Sequence, residues 1–177
     1  LLDEAVDRAF TEVQKRRDLP EEQARAIAEK VGTGAVRYNI LKVNPEKTIT
    51  FRWEEALNFD GQSGPFIQYA YARCCSILAK TDATPAIGPE YQHEQEKKLL
   101  KLIARFPDVV EHCRERCSPA AMAEYAHELA AQFNGFYRDC RVIGDEREAA
   151  RLALVESTRV TLHNALDLLG LSPLPEM

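Results

Sequence analysis

The sequence predicts an all-α protein: a helical bundle with a small preceding helical linking segment. Two observations predict it. Apolar residues recur at helical spacing, as in Leu2, Val6, Ala9, Phe10 and Val13, so that they fall on one face. Proline or glycine then stands at the interruptions of that period, where it starts or stops a helix.

Taken in order, Leu2 to Val13 form a first helix, and Asp18-Leu19-Pro20-Glu21-Glu22 breaks it and restarts a second with proline near its first turn. The simple reading is two packed helices. The second runs through Ala24, Ile27, Ala28 and Val31 towards Tyr38 and Leu41, and Gly32 and Gly34 within it mark either a break or a close helix contact. Asn44-Pro45-Glu46-Lys47 is a turn. Thr48-Ile49-Thr50-Phe51 is β-branched and aromatic enough for a short extended piece before Trp53 to Leu57. A subdomain boundary is expected here, dividing the chain into 1–56 and 57–177.

Asn58-Phe59-Asp60-Gly61-Gln62-Ser63-Gly64 reads as a polar loop, and Pro65 as the first residue of a helix running to about Lys80. Thr81 to Pro89 is a linker. Helices are then expected at about Glu90 to Arg105, Pro107 to Arg116, Pro119 to Cys140 and Glu146 to Leu169. Phe106-Pro107 and Ser118-Pro119 supply proline starts, Gly144-Asp145 a turn with a cap, and Gly170 a stop. The alternating Lys and Glu from Glu94 to Lys101 suit an exposed helix face.

Composition narrows the function classes. The 177 residues are 45% hydrophobic and 29% charged, enough for one core or a small core with an appended helical subdomain. Leu1-Leu2-Asp3-Glu4-Ala5 offers neither an initiator Met nor an apolar signal core, and no window approaches the roughly 18 apolar residues that span a bilayer. The expectation is a soluble piece that begins inside a larger protein and has no membrane partner. Five cysteines (Cys74, Cys75, Cys113, Cys117, Cys140) make no regular disulfide framework, which fits a reducing cytoplasm.

A net charge of −5 argues against sequence-independent nucleic-acid binding, and no DNA partner is expected. RNA binding would have to be local. Lys15-Arg16-Arg17, the set Lys97, Lys98, Lys101 and Arg105, and the set Arg138, Arg141, Arg147, Arg151 and Arg159 are candidates, each read first as a solvated helix face.

The most specific stretch is Phe66-Ile67-Gln68-Tyr69-Ala70-Tyr71-Ala72-Arg73. Phe66, Tyr69 and Arg73 fall at i, i+3 and i+7, so two aromatic rings and a guanidinium share a helix face. Such a face can stack splayed single-stranded bases, each worth roughly 1–3 kcal/mol. The same pattern also suits two core aromatics with a snorkelling arginine, and the residues alone leave both readings open.

This stretch, opening a helix after Asn58-Phe59-Asp60-Gly61, resembles the anticodon-binding helix of arginine–tRNA ligases, whose usual string is Gly-x-x-x-Pro-Tyr-x-Gln-Tyr-Ala-x-x-Arg. Leu1 to Val6 resembles the helix after that family's KMSKS-type loop. Residues 31–41 and 51–57 resemble the linking, stem-contact segment of these class I synthetases. Phe133-Asn134-Gly135-Phe136-Tyr137, Arg151 to Val155 and Asn164 to Gly170 resemble the closing helices of the domain named after its Asp-Ala-Leu-Arg signature. Pro175-Glu176-Met177 resembles the family's C-terminus.

The resemblance implies a bundle of the class I synthetase anticodon-binding type, with 57–177 as that domain and 1–56 as the linking segment. It implies recognition of the tRNA(Arg) anticodon by Phe66, Tyr69, Arg73, Tyr137 and Met177, with Asp60 and Gln62 from the loop. Arginine, ATP and magnesium would be bound by a catalytic domain upstream of Leu1, so this piece carries no cofactor and is not catalytic alone. Phe66 stands where tyrosine is commoner, which keeps stacking but loses a phenolic hydrogen bond. His163 is given no role, and Arg151 and Arg159 either hold the bundle through carboxylates or meet phosphate, the structural role being the one expected.

Rival chemistry is thinly supported. Cys113 and Cys117, at i, i+4 on one helix beside His112, have zinc-compatible spacing without a second pair. His93-Glu94-Gln95-Glu96 lacks the second histidine of a metalloprotease helix, since Lys97 occupies it, and Gly32-Thr33-Gly34 follows no strand. The alternative to tRNA recognition is a helical protein-interaction module with the aromatic face as its hot spot.

Overall fold

A computed structural model describes residues 1–16, 18–88 and 91–177; Arg17 of the first basic cluster, Pro89 of the linker and the expected helix start at Glu90 lie outside the described residues. The helices are α1 (Leu2–Arg16), α2 (Glu21–Leu41), α3 (Trp53–Ala56), α4 (Gly64–Leu78), α5 (Glu94–Ala104), α6 (Phe106–Arg116), α7 (Ala120–Asp139) and α8 (Glu148–Leu168). No strand occurs among the described residues. None of these helices is long and apolar enough to cross a membrane.

α1 and α2 meet along a seam of small buried residues, Ala5 and Ala9 against Ala24, Ala28 and Gly32. α2 runs unbroken through both of its glycines, so they mark a close contact and not a break. A Cβ on Gly32 would lie 2.6 Å from the Ala5 carbonyl oxygen. Gly32→Ala therefore sets about 1 kcal/mol of gained helix propensity against about 1–3 kcal/mol of overpacking against rigid backbone. The expected result is a lower melting temperature by thermal denaturation; a higher one would mean that α1 yields at little cost.

The main core lies among α4, α5, α7 and α8 and holds Ile67, Leu99, Phe133, Phe136, Leu162 and Leu166. α2 reaches into it: Tyr38 is buried and donates its hydroxyl to the Ala123 carbonyl at 3.1 Å. After α8 the chain turns at Gly170, whose φ is +64°. The tail then buries Leu171 in the main core and Leu174 in a smaller cluster with Ala9, Ala28, Val31 and Phe59.

Several expectations need correction. Thr48 to Phe51 belongs to no helix and joins no ladder, since no strand occurs among the described residues, and Ile49 on it is exposed. α4 opens at Gly64 behind the Ser63 cap, which puts Pro65 second in the helix. α5 starts at Glu94, where His93 Nδ1 accepts the Gln95 N–H at 3.2 Å. α8 starts at Glu148, after Asp145 Oδ1 has accepted the Arg147 N–H at 2.9 Å in the preceding turn. α6 ends at Arg116, and Cys117 is left-handed with φ 47°, so Cys113 and Cys117 do not share a helix; Ser118-Pro119 cannot continue it.

Candidate nucleic-acid interface

The interface begins in the loop before α4. Asn58 Oδ1 accepts the Asp60 N–H at 2.9 Å, and the Ser63 hydroxyl donates to the Asn58 carbonyl while accepting the Phe66 N–H at 3.2 Å. These bonds shape the loop and cap the helix in one step. Asp60 and Gln62 are exposed on it, and Lys42 Nζ donates to the Gln62 carbonyl at 3.2 Å. Phe66, half-buried on the first turn, lies 5.1 Å from the His127 ring of α7. Burial, with the Lys42 charge in support, pushes the His127 imidazole below its usual pKa, so it is neutral at pH 7.

About two turns on, the Arg73 guanidinium lies over two rings from different helices, 4.7 Å from the Tyr69 centroid on α4 and 5.4 Å from that of Tyr137 on α7. Asn134 Oδ1 accepts from Arg73 Nη1 at 2.9 Å and fixes the guanidinium laterally. Tyr137 stacks on Phe133 with centroids 6.4 Å apart and remains 43% exposed.

These side chains line a groove of about 950 Å³ whose other walls are Cys140 to Ile143 and the tail Pro175 to Met177. Of the seven residues expected at the site, the groove gathers Tyr69, Arg73, Tyr137 and Met177. Phe66 packs against His127 and does not line the groove, and Asp60 and Gln62 stand on the loop at the head of α4.

The groove walls depend on residues that the sequence reading passed over. Gln68 is fully buried and donates Nε2 to the Ser172 carbonyl at 3.0 Å, and Arg37 donates to the Gly170 carbonyl, so α4 and α2 together hold the tail that carries Met177. Glu96, expected on an exposed face, is fully buried. Its carboxylate accepts the Gln92 and His93 N–H groups, each at 3.0 Å, and pairs with Arg151 at 2.8 Å and Arg147 at 3.1 Å. Arg151 also reaches Asp145 at 3.0 Å and donates to the Arg141 carbonyl at 2.6 Å, which anchors the segment forming one wall. A polar residue inside an apolar helical period was the available signal for both Gln68 and Glu96.

Arg151 takes the structural role expected of it, joining α8 to Glu96 of α5, whereas the carboxylate partner of Arg159 is Glu156 at 2.7 Å, three residues away within α8 itself. The second basic cluster is a solvated face: Lys98 lies 4.0 Å from Glu94 and Arg105 3.3 Å from Glu128. Among the described residues no three His, Cys, Asp or Glu side chains converge as a metal site.

Residues 67–177 match the DALR anticodon binding domain family. The chain is 51% identical over 180 residues to an arginine–tRNA ligase of Methanocella arvoryzae, covering 100% of this chain and 32% of that protein. Thermus thermophilus arginyl-tRNA synthetase shares its fold with a TM-score of 0.91 at 34% identity, over 99% of this chain and 31% of that one. The Plasmodium falciparum arginyl-tRNA synthetase follows with a TM-score of 0.88 at 26% identity, over 99% and 33%. The chain thus spans about a third of the length of the relatives it matches. With the bundle shared nearly end to end and the family match running from the first turns of α4 to Met177, the chain belongs to the DALR anticodon binding domain family, in the form found in arginine–tRNA ligases.

Proposed function

We propose that the chain recognises the anticodon of an arginine tRNA, as the C-terminal part of a cytoplasmic arginine–tRNA ligase. The observation that carries this reading is the clamp of Arg73 over Tyr69 and Tyr137, two rings from separate helices opening on one groove. Splayed bases stack on aromatic rings and on guanidinium planes, and single-stranded loops present such bases. Met177 closes the groove with a polarizable side chain that adapts to a base edge. Phe66 adds a stacking surface on the turn before, and Asp60 and Gln62 offer hydrogen-bond partners at the loop.

In this reading residues 1–56 are the linking segment towards the tRNA stem and 57–177 the anticodon-binding domain. Arginine, ATP and magnesium are handled by parts of the synthetase outside these 177 residues. This chain supplies positioning: energy gained at the anticodon holds the acceptor end where the amino acid is transferred. The test is fluorescence anisotropy of the chain with an arginine tRNA transcript and with the same transcript carrying a changed anticodon. Weaker binding on changing the anticodon supports the reading, and equal binding to both overturns it.

A further inference from the structure

Resting on that reading of the groove, we infer that Lys80 and Arg141 bind the ribose-phosphate backbone of the RNA strand whose bases the tyrosines stack, with Arg141 as the oriented contact. The chain is acidic, with 28 carboxylate residues against 23 Lys and Arg. Most arginines of this unit are accordingly paired: Arg105, Arg114, Arg138, Arg147, Arg151 and Arg159 all reach a carboxylate. Arg73, Lys80 and Arg141 reach none among the described residues, and all three line the groove, where Glu176 is the one acidic side chain among the described lining residues. The groove is thus locally cationic on an acidic protein, which is the charge pattern that an anionic strand needs.

Arg73 is already committed to the two rings and to Asn134. Arg141 is held differently. Its Nε donates to the Ile143 carbonyl at 3.0 Å, and its own carbonyl is held by Arg151. The side chain lies back over the turn at Gly144, where φ is +74° and a Cβ would come 3.0 Å from Arg141 Nη2. The glycine makes room, the backbone bond fixes the plane, and the Nη edge is left to meet a phosphate, for which the planar fork of arginine is suited. Lys80 comes from the other wall, just past the end of α4 and about two turns beyond Arg73, as an exposed point charge. Rings and Arg73 then meet bases, whereas Lys80 and Arg141 meet phosphates and position the strand without reading it.

The experiment measures tRNA affinity of Lys80→Gln, Arg141→Gln and the double variant over a series of salt concentrations, with cognate and anticodon-changed transcripts. Each single substitution is expected to weaken binding to both RNAs by the same factor. The slope of log affinity against log salt should shrink by about 0.7–0.9 per residue lost. Arg141→Lys keeps the charge and should keep the slope, which separates charge from any effect on folding. Unchanged slopes, or a changed ratio between cognate and altered RNA, overturn the assignment. A wild type that ignores the anticodon overturns the proposed function and this assignment together; a discriminating wild type with unaltered slopes in the variants overturns this assignment alone.

Discussion

Replacing Glu96 with alanine is expected to lower stability by about 3–5 kcal/mol, the cost of removing one partner from a buried ion pair. The carboxylate has no solvent exposure, and the Arg151 side chain that it holds is 11% exposed. Without Glu96 that guanidinium retains Asp145 and the Arg141 carbonyl but loses its buried counter-charge, and the turn ahead of α5 loses the acceptor of the Gln92 and His93 N–H groups. Chemical denaturation at pH 7 measures the effect.

The same carboxylate gives the acid limb of stability its shape. Burial pushes its pKa up, but the hydrogen bonds from Arg151 and the His93 backbone, with the charges of Arg147 and Arg151, outweigh burial and bring it below the usual 4.5. A folded-state value below the unfolded one contributes stability that is complete above about pH 4.5 and is lost as pH falls through the lowered value. Glu96→Gln keeps the side chain's shape without the charge, so its stability should decline less steeply than wild type in acid. Equal stability of Glu96→Gln and wild type at pH 7 would show that the charge contributes nothing.

Tyr69→Ala is expected to weaken cognate tRNA binding by about 1–3 kcal/mol, or roughly 5- to 150-fold, the range for losing one base-stacking ring. The substitution also removes the nearer of the two rings under Arg73, at 4.7 Å, so the guanidinium would rest on Tyr137 and Asn134 alone. Tyr69→Phe keeps the ring face and should bind within a few-fold of wild type. Tyr69 is only half-buried, so Tyr69→Ala should melt close to the wild type. Anisotropy titration provides the readout, and wild-type affinity in a Tyr69→Ala protein of matched melting would remove Tyr69 from the site.

How much of this was legible in the residues varied with the range of the interaction. The heads of α4 and α6 and the stop at Gly170 follow from proline, serine and glycine chemistry that acts within a turn. The head of α5 was missed because histidine is not among the common N-cap residues, yet His93 closes a capping box with Glu96. Thr48 to Phe51 carries strand propensity, but propensity without a neighbour builds no ladder. In the candidate site, the shared face of Phe66, Tyr69 and Arg73 is a consequence of helical period alone. Tyr137 and Met177 were named only through the family resemblance, since no local pattern says which residue 64 or more positions away will stand across a groove from Arg73.

By itself, then, the sequence determined the helical class, the order of the helices and the aromatic face that α4 presents. Tertiary structure alone decided that Glu96 is buried rather than solvated, that Arg151 is spent on it, that Arg73 lies over rings from two helices, and that Arg141 is left without a carboxylate among the described residues. The physical reason is reach: caps, breakers and periodicity act over one or two turns, whereas the Glu96–Arg151 bond joins residues 55 apart and the Arg73–Asn134 bond residues 61 apart.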